Sequence, residues 1–267
     1  MTQLVAALCE NRTKVVLVSD RMITTSDGTL AFEHEPKYEQ VSNRAIVLMA
    51  GTVHEPEFIE DARLETERTA SVRQIAENLA EGYRCVRKKR IEHEVLQRYG
   101  IPSFEDFYNK QRLLHEDTNL QFLEAIKDYD LEVDLVLGGV DNKAHIYHIA
   151  EPGTCISYDE LGFCCVGSGD RHAEPVFAFY GFRPSLPVSH ALQIAHEAKK
   201  RSEMAGGVGR ETDVWIIDKE GCHEITDETT EELRKYHEDQ ETVSRLFDPI
   251  EIKTRKLKYP TNQARTS

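Results

Sequence analysis

The chain has 267 residues, and its 47 acidic side chains outnumber 33 basic ones to leave a net charge of −14. That balance weighs against nucleic acid or an anionic membrane surface as the main partner. No apolar run reaches the ~18 residues needed to span a bilayer and the N-terminus lacks a signal-peptide pattern, so a cytoplasmic protein with no membrane partner is expected.

The first fifty residues read as β. Leu4 to Cys9 is a short apolar run, and Glu10 to Thr13 supply a polar turn. Lys14 to Ser19 is a nearly continuous β-branched run, the pattern of a strand covered on both faces. A loop with Asp27-Gly28 leads to Lys37–Val41 and Arg44–Ala50, a hairpin turning at Asn43. From about Glu55 to Arg98 the pattern is helical, with Ile75, Leu79, Tyr83 and Val86 on one face. Within it, Arg87-Lys88-Lys89-Arg90 reads as a solvated helix face. Gly100 and Pro102 end that helix. Ser103, with Asp106 three residues on, predicts the start of a second one reaching about Tyr129.

Strands return at Leu131–Leu137 and His145–Ile149, flanking a turn at Gly138-Gly139-Val140-Asp141, and then at Thr154–Tyr158 and Phe163–Val166. Helices are expected over about Arg171–Tyr180 and Ser189–Met204, followed by a hairpin of Asp213–Ile217 with Cys222–Ile225. A charged helix covers about Glu228 to Phe247. Strands, two helices, strands, two helices, strands, helix is an α+β order. It suits a four-layer αββα sandwich with two sheets face to face and helices outside. A doubly wound sheet would need strict strand–helix alternation. One domain is expected over 1–247, with an extended helical region at about 88–130 and a polar tail at 248–267.

The six cysteines include no CxxC pair and sit mostly in apolar runs, so they read as reduced core or near-core residues. The eleven histidines show no HExxH or comparable spacing, and His145 and His148, three apart in a strand, point to opposite faces. Neither a metal nor an organic cofactor is expected.

Thr2 follows the initiator Met1 and precedes the first strand. Removal of the methionine would leave a hydroxyl and a free α-amine on one residue. That pair is a nucleophile with its own general base, since an α-amine has a pKa of about 7.7–8.0. Five further segments surround this feature: Val16-Leu17-Val18-Ser19-Asp20-Arg21, Lys37-Tyr38-Glu39-Gln40-Val41, Met49-Ala50-Gly51-Thr52, Leu137-Gly138-Gly139-Val140-Asp141 and Val166-Gly167-Ser168-Gly169. In this order and spacing, over roughly residues 2 to 217, the chain resembles proteasome β subunits and their bacterial relatives, members of the N-terminal-nucleophile hydrolases. It has no helix ahead of the first strand, as an α-type subunit would. Needing only methionine removal and no propeptide cleavage, it looks more like the bacterial stand-alone homologues (the Anbu type and the ATPase-partnered two-ring peptidase).

The resemblance implies a threonine-dependent peptidase working through an acyl-enzyme inside a self-compartmentalising homo-oligomer. Its substrates would be peptides or unfolded proteins, with an ATPase unfoldase or cap as partner. Thr2 would be the nucleophile, Lys37 the cation beside its hydroxyl, and Asp20 the carboxylate holding Lys37. Gly51 would donate its N–H to an oxyanion, Ser168 would fix the α-amine, and Met49 would line the substrate pocket. Each has a plainer role taken singly: Asp20 and Arg21 as a strand-end ion pair, Lys37 on the surface, Gly51 closing a strand, Gly167-Ser168-Gly169 as a turn. The chain departs from the family at Arg201–Gly207, where Ser202 stands at an aspartate position and Ala205 at a serine position, with Glu203 adjacent as a substitute. A non-catalytic subunit on the same fold and a specialised amidase or transpeptidase are the competing readings.

Overall fold

The computed structural model describes residues 2–24, 31–33, 36–51 and 70–245. Asp27-Gly28, Thr52, the expected helix up to residue 69, Phe247 and the polar tail lie outside the described residues. In chain order, β1 (Gln3–Cys9) and β2 (Lys14–Asp20) are followed by a short ribbon of β3 (Met22–Thr24) and β4 (Ala31–Glu33), then by β5 (Tyr38–Ser42) and β6 (Ala45–Gly51). Helix α1 (Val72–Arg90) runs on through a π turn at Ile91–Leu96, and α2 (Phe104–Lys110) and α3 (Glu116–Lys127) follow. Four strands come next: β7 (Val133–Val140), β8 (Ala144–Ala150), β9 (Thr154–Ser157) and β10 (Phe163–Gly167). The remainder is α4 (Asp170–Phe179), α5 (Val188–Ser202), β11 (Thr212–Asp218), β12 (Gly221–Glu224) and α6 (Asp227–Arg245).

Among the described residues the chain is therefore mixed α and β, with six α-helices and two five-stranded antiparallel sheets beside the β3–β4 ribbon. One sheet has the order β10-β1-β2-β11-β12 and the other β5-β6-β7-β8-β9. The chain divides into two compact units after Ile225, and α6 belongs to the second. No helix among the described residues is long and apolar enough to cross a membrane.

Alternation along the strands sorts the side chains. Leu4, Leu8 and Leu17 of the first sheet share one buried cluster with Ile46, Leu48, Val136 and Ile146 of the second. On the opposite face of the second sheet, Val47, Leu135, Leu137 and Ile149 pack under Ile75, Leu79 and Tyr83 of α1. The first sheet is covered in turn, with α5 against β1 and β2 and α4 against β10. Ser71 and Gln74 cap α1 reciprocally, and Asp141 accepts the orphan N–H of Val72 at 3.2 Å. Ser103 caps α2 by accepting from the Asp106 N–H at 3.1 Å.

Three local expectations need correction. Gly138 and Gly139 are not a turn but paired residues of the β7 ladder, opposite Ile46 and Ala45. A β-carbon on Gly138 would stand 2.7 Å from the Leu17 side chain, so the residue is there for close packing between the sheets. The helix expected from Ser103 to Tyr129 is broken between α2 and α3, where the first turn of α3 is capped by His115. Finally, Cys85 is exposed on α1, whereas Cys9, Cys164 and Cys165 are buried; all six cysteines are free.

Candidate active site

Antiparallel pairing brings distant residues to one end of the fold. Leu4 lies opposite Ser19, so Thr2 at the head of β1 meets Asp20 at the foot of β2. Gln3 lies opposite Gly167, which adds Ser168 to the same end. The β5–β6 hairpin pairs Tyr38 with Leu48, and the Met49 N–H donates to the Lys37 carbonyl at 2.9 Å; this sets Lys37 and Gly51 at the corresponding end of the second sheet.

There the Lys37 ammonium donates to Thr2 Oγ1 at 2.7 Å and to the Asp20 carboxylate at 3.0 and 3.1 Å. All three residues are enclosed, with exposures of 1% for Lys37, 0% for Asp20 and 2% for Thr2. A lysine is seldom buried, and burial lowers the Lys37 pKa from its ordinary 10.5 because the charged form is desolvated; Asp20 opposes that shift. Asp20 is itself held by three backbone donors. The Gln3 N–H reaches Oδ1 at 2.8 Å, while those of Met22 and Gly209 reach Oδ2 at 3.1 and 2.9 Å. Its neighbour Arg21 turns away and pairs with Asp213 across the β2–β11 ladder, which raises the guanidinium pKa. Asp20 and Arg21 are thus not each other's counter-ion. Each has its own.

Two glycines allow the backbone to close round Thr2. Gly167 has φ +125°, and a β-carbon there would stand 2.0 Å from the Thr2 carbonyl oxygen. The following Ser168 N–H donates to that oxygen at 3.0 Å. Gly51 has φ +108°, and a β-carbon would meet the Glu132 carbonyl at 1.8 Å. Thr2, Gly51 and Ser168 line a cavity of about 490 Å³ that is also lined by Asp134, His148 and Tyr158. His148 Nε2 lies 2.8 Å from Asp134 Oδ1. Burial raises the Tyr158 pKa first, with Glu174 and Asp134 adding to the rise.

The structure therefore gathers Thr2, Asp20, Lys37, Gly51 and Ser168, the last with its side chain exposed. It does not bring Met49 to this cavity: that side chain packs on the face of β6 that meets α1. Nor do Ser202 and Glu203 reach toward Thr2. Ser202 Oγ donates to the Lys199 carbonyl in its own helix at 2.6 Å, and Glu203 accepts from Lys199 and Lys200 at 2.6 and 2.7 Å. Sequence reasoning missed Gly209, whose part is a backbone amide, and Lys199, which looks like any helix-end lysine. It missed Asp134 and His148 as well, although a signal existed. Both share the parity of core-facing Val136 and Ile146, and a charged residue at a core-facing strand position is informative. Among the described residues, no group of three or more His, Cys, Asp or Glu is arranged to hold a metal ion. No protein-family model and no curated protein matches this chain.

Proposed function

We propose that the chain is a threonine-type peptidase of the N-terminal-nucleophile class, built on the four-layer αββα sandwich that its resemblance implies. The two sheets sharing one core, with α1 outside one and α4 and α5 outside the other, support that architecture. The observation that carries the function is the 2.7 Å contact from Lys37 Nζ to Thr2 Oγ1, backed by buried Asp20, at the wall of a cavity. Once its α-amine is free, Thr2 Oγ1 attacks a peptide carbonyl and passes its proton to that amine. The Lys37 ammonium stabilises the alkoxide as it forms, and the Gly51 N–H faces the oxyanion. Collapse breaks the C–N bond, the leaving amine takes the proton, and an ester is left on Thr2. Water, deprotonated by the same α-amine, then cleaves the ester and restores the hydroxyl. This reading assigns peptide or unfolded-protein substrates, a homo-oligomeric ring or related assembly, and docking of an ATPase unfoldase or cap.

Thr2→Ala is expected to abolish both peptide cleavage and labelling by a threonine-directed epoxyketone. Undiminished labelling of that variant refutes the proposal. One observation favours a second reading, a non-catalytic subunit on the same fold: Ser202, which stands at the family's aspartate position, donates within its own helix rather than toward Thr2. Intact mass separates the two, because a retained Met1 blocks the amine.

A further inference from the structure

Lys199 is wholly enclosed at the last turn of α5, with 0% of its side chain exposed. Its ammonium donates to Glu203 Oε1 at 2.6 Å and to the Arg210 carbonyl at 2.8 Å. A lysine near a helix C-terminus commonly serves the helix dipole and an i,i+4 carboxylate, but that role works from the surface at little cost. Complete burial of an ammonium is expensive, and an apolar side chain of similar length would fill the same space without the charge. The bond to Arg210 sets this lysine apart, because it leaves the helix and grips the strand-entry loop.

That loop supports the buried pair. One residue before Arg210, the Gly209 N–H donates to Asp20 Oδ2 at 2.9 Å. The Arg210 and Glu211 N–H groups donate to the Glu33 carboxylate at 3.1 and 3.2 Å, so the segment is tied from both sides. Gly209 itself must be glycine for the approach to occur, since a β-carbon would stand 2.7 Å from Met22 Cβ and 3.2 Å from Asp20 Oδ2. Burial lowers the Lys199 pKa, and Glu203 is the main opposing influence, with a weaker one from Asp20.

We infer that Lys199 is a positioning residue: by gripping the Arg210 carbonyl it sets the Gly209 amide on Asp20, and so fixes the Asp20–Lys37 pair against Thr2. The inference rests on the proposed peptidase reading for its catalytic consequence, but its structural half stands apart. Lys199→Met removes the donors at nearly constant volume, and Lys199→Arg retains them. Amide hydrogen exchange at Gly209 is measured in both, together with kcat and KM on a peptide substrate. In Lys199→Met, exchange at Gly209 is expected to accelerate about tenfold or more, as for loss of one hydrogen bond to a charged group. A misplaced constellation of this kind costs about tenfold to a hundredfold in kcat with KM little changed. Lys199→Arg is expected to recover part of both losses. If Lys199→Met does not fold, Gly209→Ala displaces the same amide without touching α5 and is expected to give the same kcat loss. Wild-type exchange at Gly209 in folded Lys199→Met overturns the inference, as does wild-type kcat in Gly209→Ala. A wild-type protein that neither cleaves peptides nor takes the probe defeats the peptidase reading alone, and exchange at Gly209 then decides the inference.

Discussion

Replacing Asp20 with asparagine tests whether the buried pair is built as described. The carboxylate uses both oxygens as acceptors: Oδ1 from the Gln3 N–H and Lys37, Oδ2 from the Met22 and Gly209 N–H groups and Lys37. Asparagine has one acceptor. If its oxygen keeps Met22 and Gly209, its NH2 faces the Gln3 N–H and the ammonium, and two donors confront a third. Stranding a buried charge costs about 3–5 kcal/mol. A buried donor left without an acceptor costs about 1–3 kcal/mol, and the two effects overlap because they share one side chain. The expected loss is about 4–6 kcal/mol, or a Tm lower by about 10–20 °C for a domain of this size. Lys37→Met leaves Asp20 with its three amide donors, so its cost is smaller, about 1–3 kcal/mol. In Asp20→Asn the Lys37 pKa falls further below 10.5, because the influence that raises it has gone. The unfolded chain then binds more protons than the folded one, so the deficit is deepest at low pH and narrows as pH rises. Urea unfolding followed by circular dichroism measures this. The reasoning is refuted if Asp20→Asn lies within about 1 kcal/mol of wild type, or if Lys37→Met costs more than Asp20→Asn.

Two further outcomes follow from other contacts. Gly167→Ala forces a β-carbon to within 2.0 Å of the Thr2 carbonyl at φ +125°, so a loss of about 2 kcal/mol or more is expected, together with slower probe labelling at Thr2; thermal unfolding and labelling rate measure the two. His145 lies between Asp159 at 2.6 Å and Asp141 at 3.3 Å, and the bond to Asp159 is the main cause of its raised pKa. A raised folded pKa means stabilisation that is complete below the ordinary 6.5 and lost as pH rises through the folded value. The Asp159 and Asp141 pKa values are lowered, so both stay ionised across that window. Wild-type Tm is therefore expected to fall from pH 6 to pH 8 more steeply than that of His145→Gln, and parallel Tm curves would refute this role for His145.

Much of the fold was legible because its signals are local. The β-branched run at 14–19 became β2, the spacing of Ile75, Leu79, Tyr83 and Val86 became the buried face of α1, and Ser103 became a cap. Gly138-Gly139 misled because a glycine pair marks either a turn or a close approach, and only the position of Leu17 in the opposite sheet decides between them. The turn falls instead at Asp141-Asn142-Lys143, where the Asp141 side chain accepts from the next two N–H groups. The β3–β4 ribbon eluded the sequence reading because three-residue strands carry too few alternations to register. In the site, Thr2, Asp20 and Lys37 were named by type and order. The amides of Gln3, Met22 and Gly209 could not be, because every residue but proline has an N–H and only the folded chain shows which ones converge.

The direction of the Lys37–Thr2 bond limits what the hydroxyl can do. An ammonium has donors and no acceptor, so at 2.7 Å Thr2 Oγ1 accepts a hydrogen bond and its own proton must point elsewhere. In the proposed reaction that proton goes to the residue's α-amine, which lies one carbon from the hydroxyl-bearing side chain and is poised near neutral pH. Lys37 cannot serve as that base in its charged form, and Asp20 favours that form against the burial that lowers the Lys37 pKa. An apolar cluster of the same volume would hold this end of the sheets at least as firmly as two enclosed lysines and their carboxylates. Stability alone therefore gives no reason for Lys37 and Lys199 to be there. The proposed reaction supplies one for Lys37, whose charge is aimed at Thr2 Oγ1 and gains its advantage only when that oxygen becomes an alkoxide, and for Lys199 through the loop that supports Asp20.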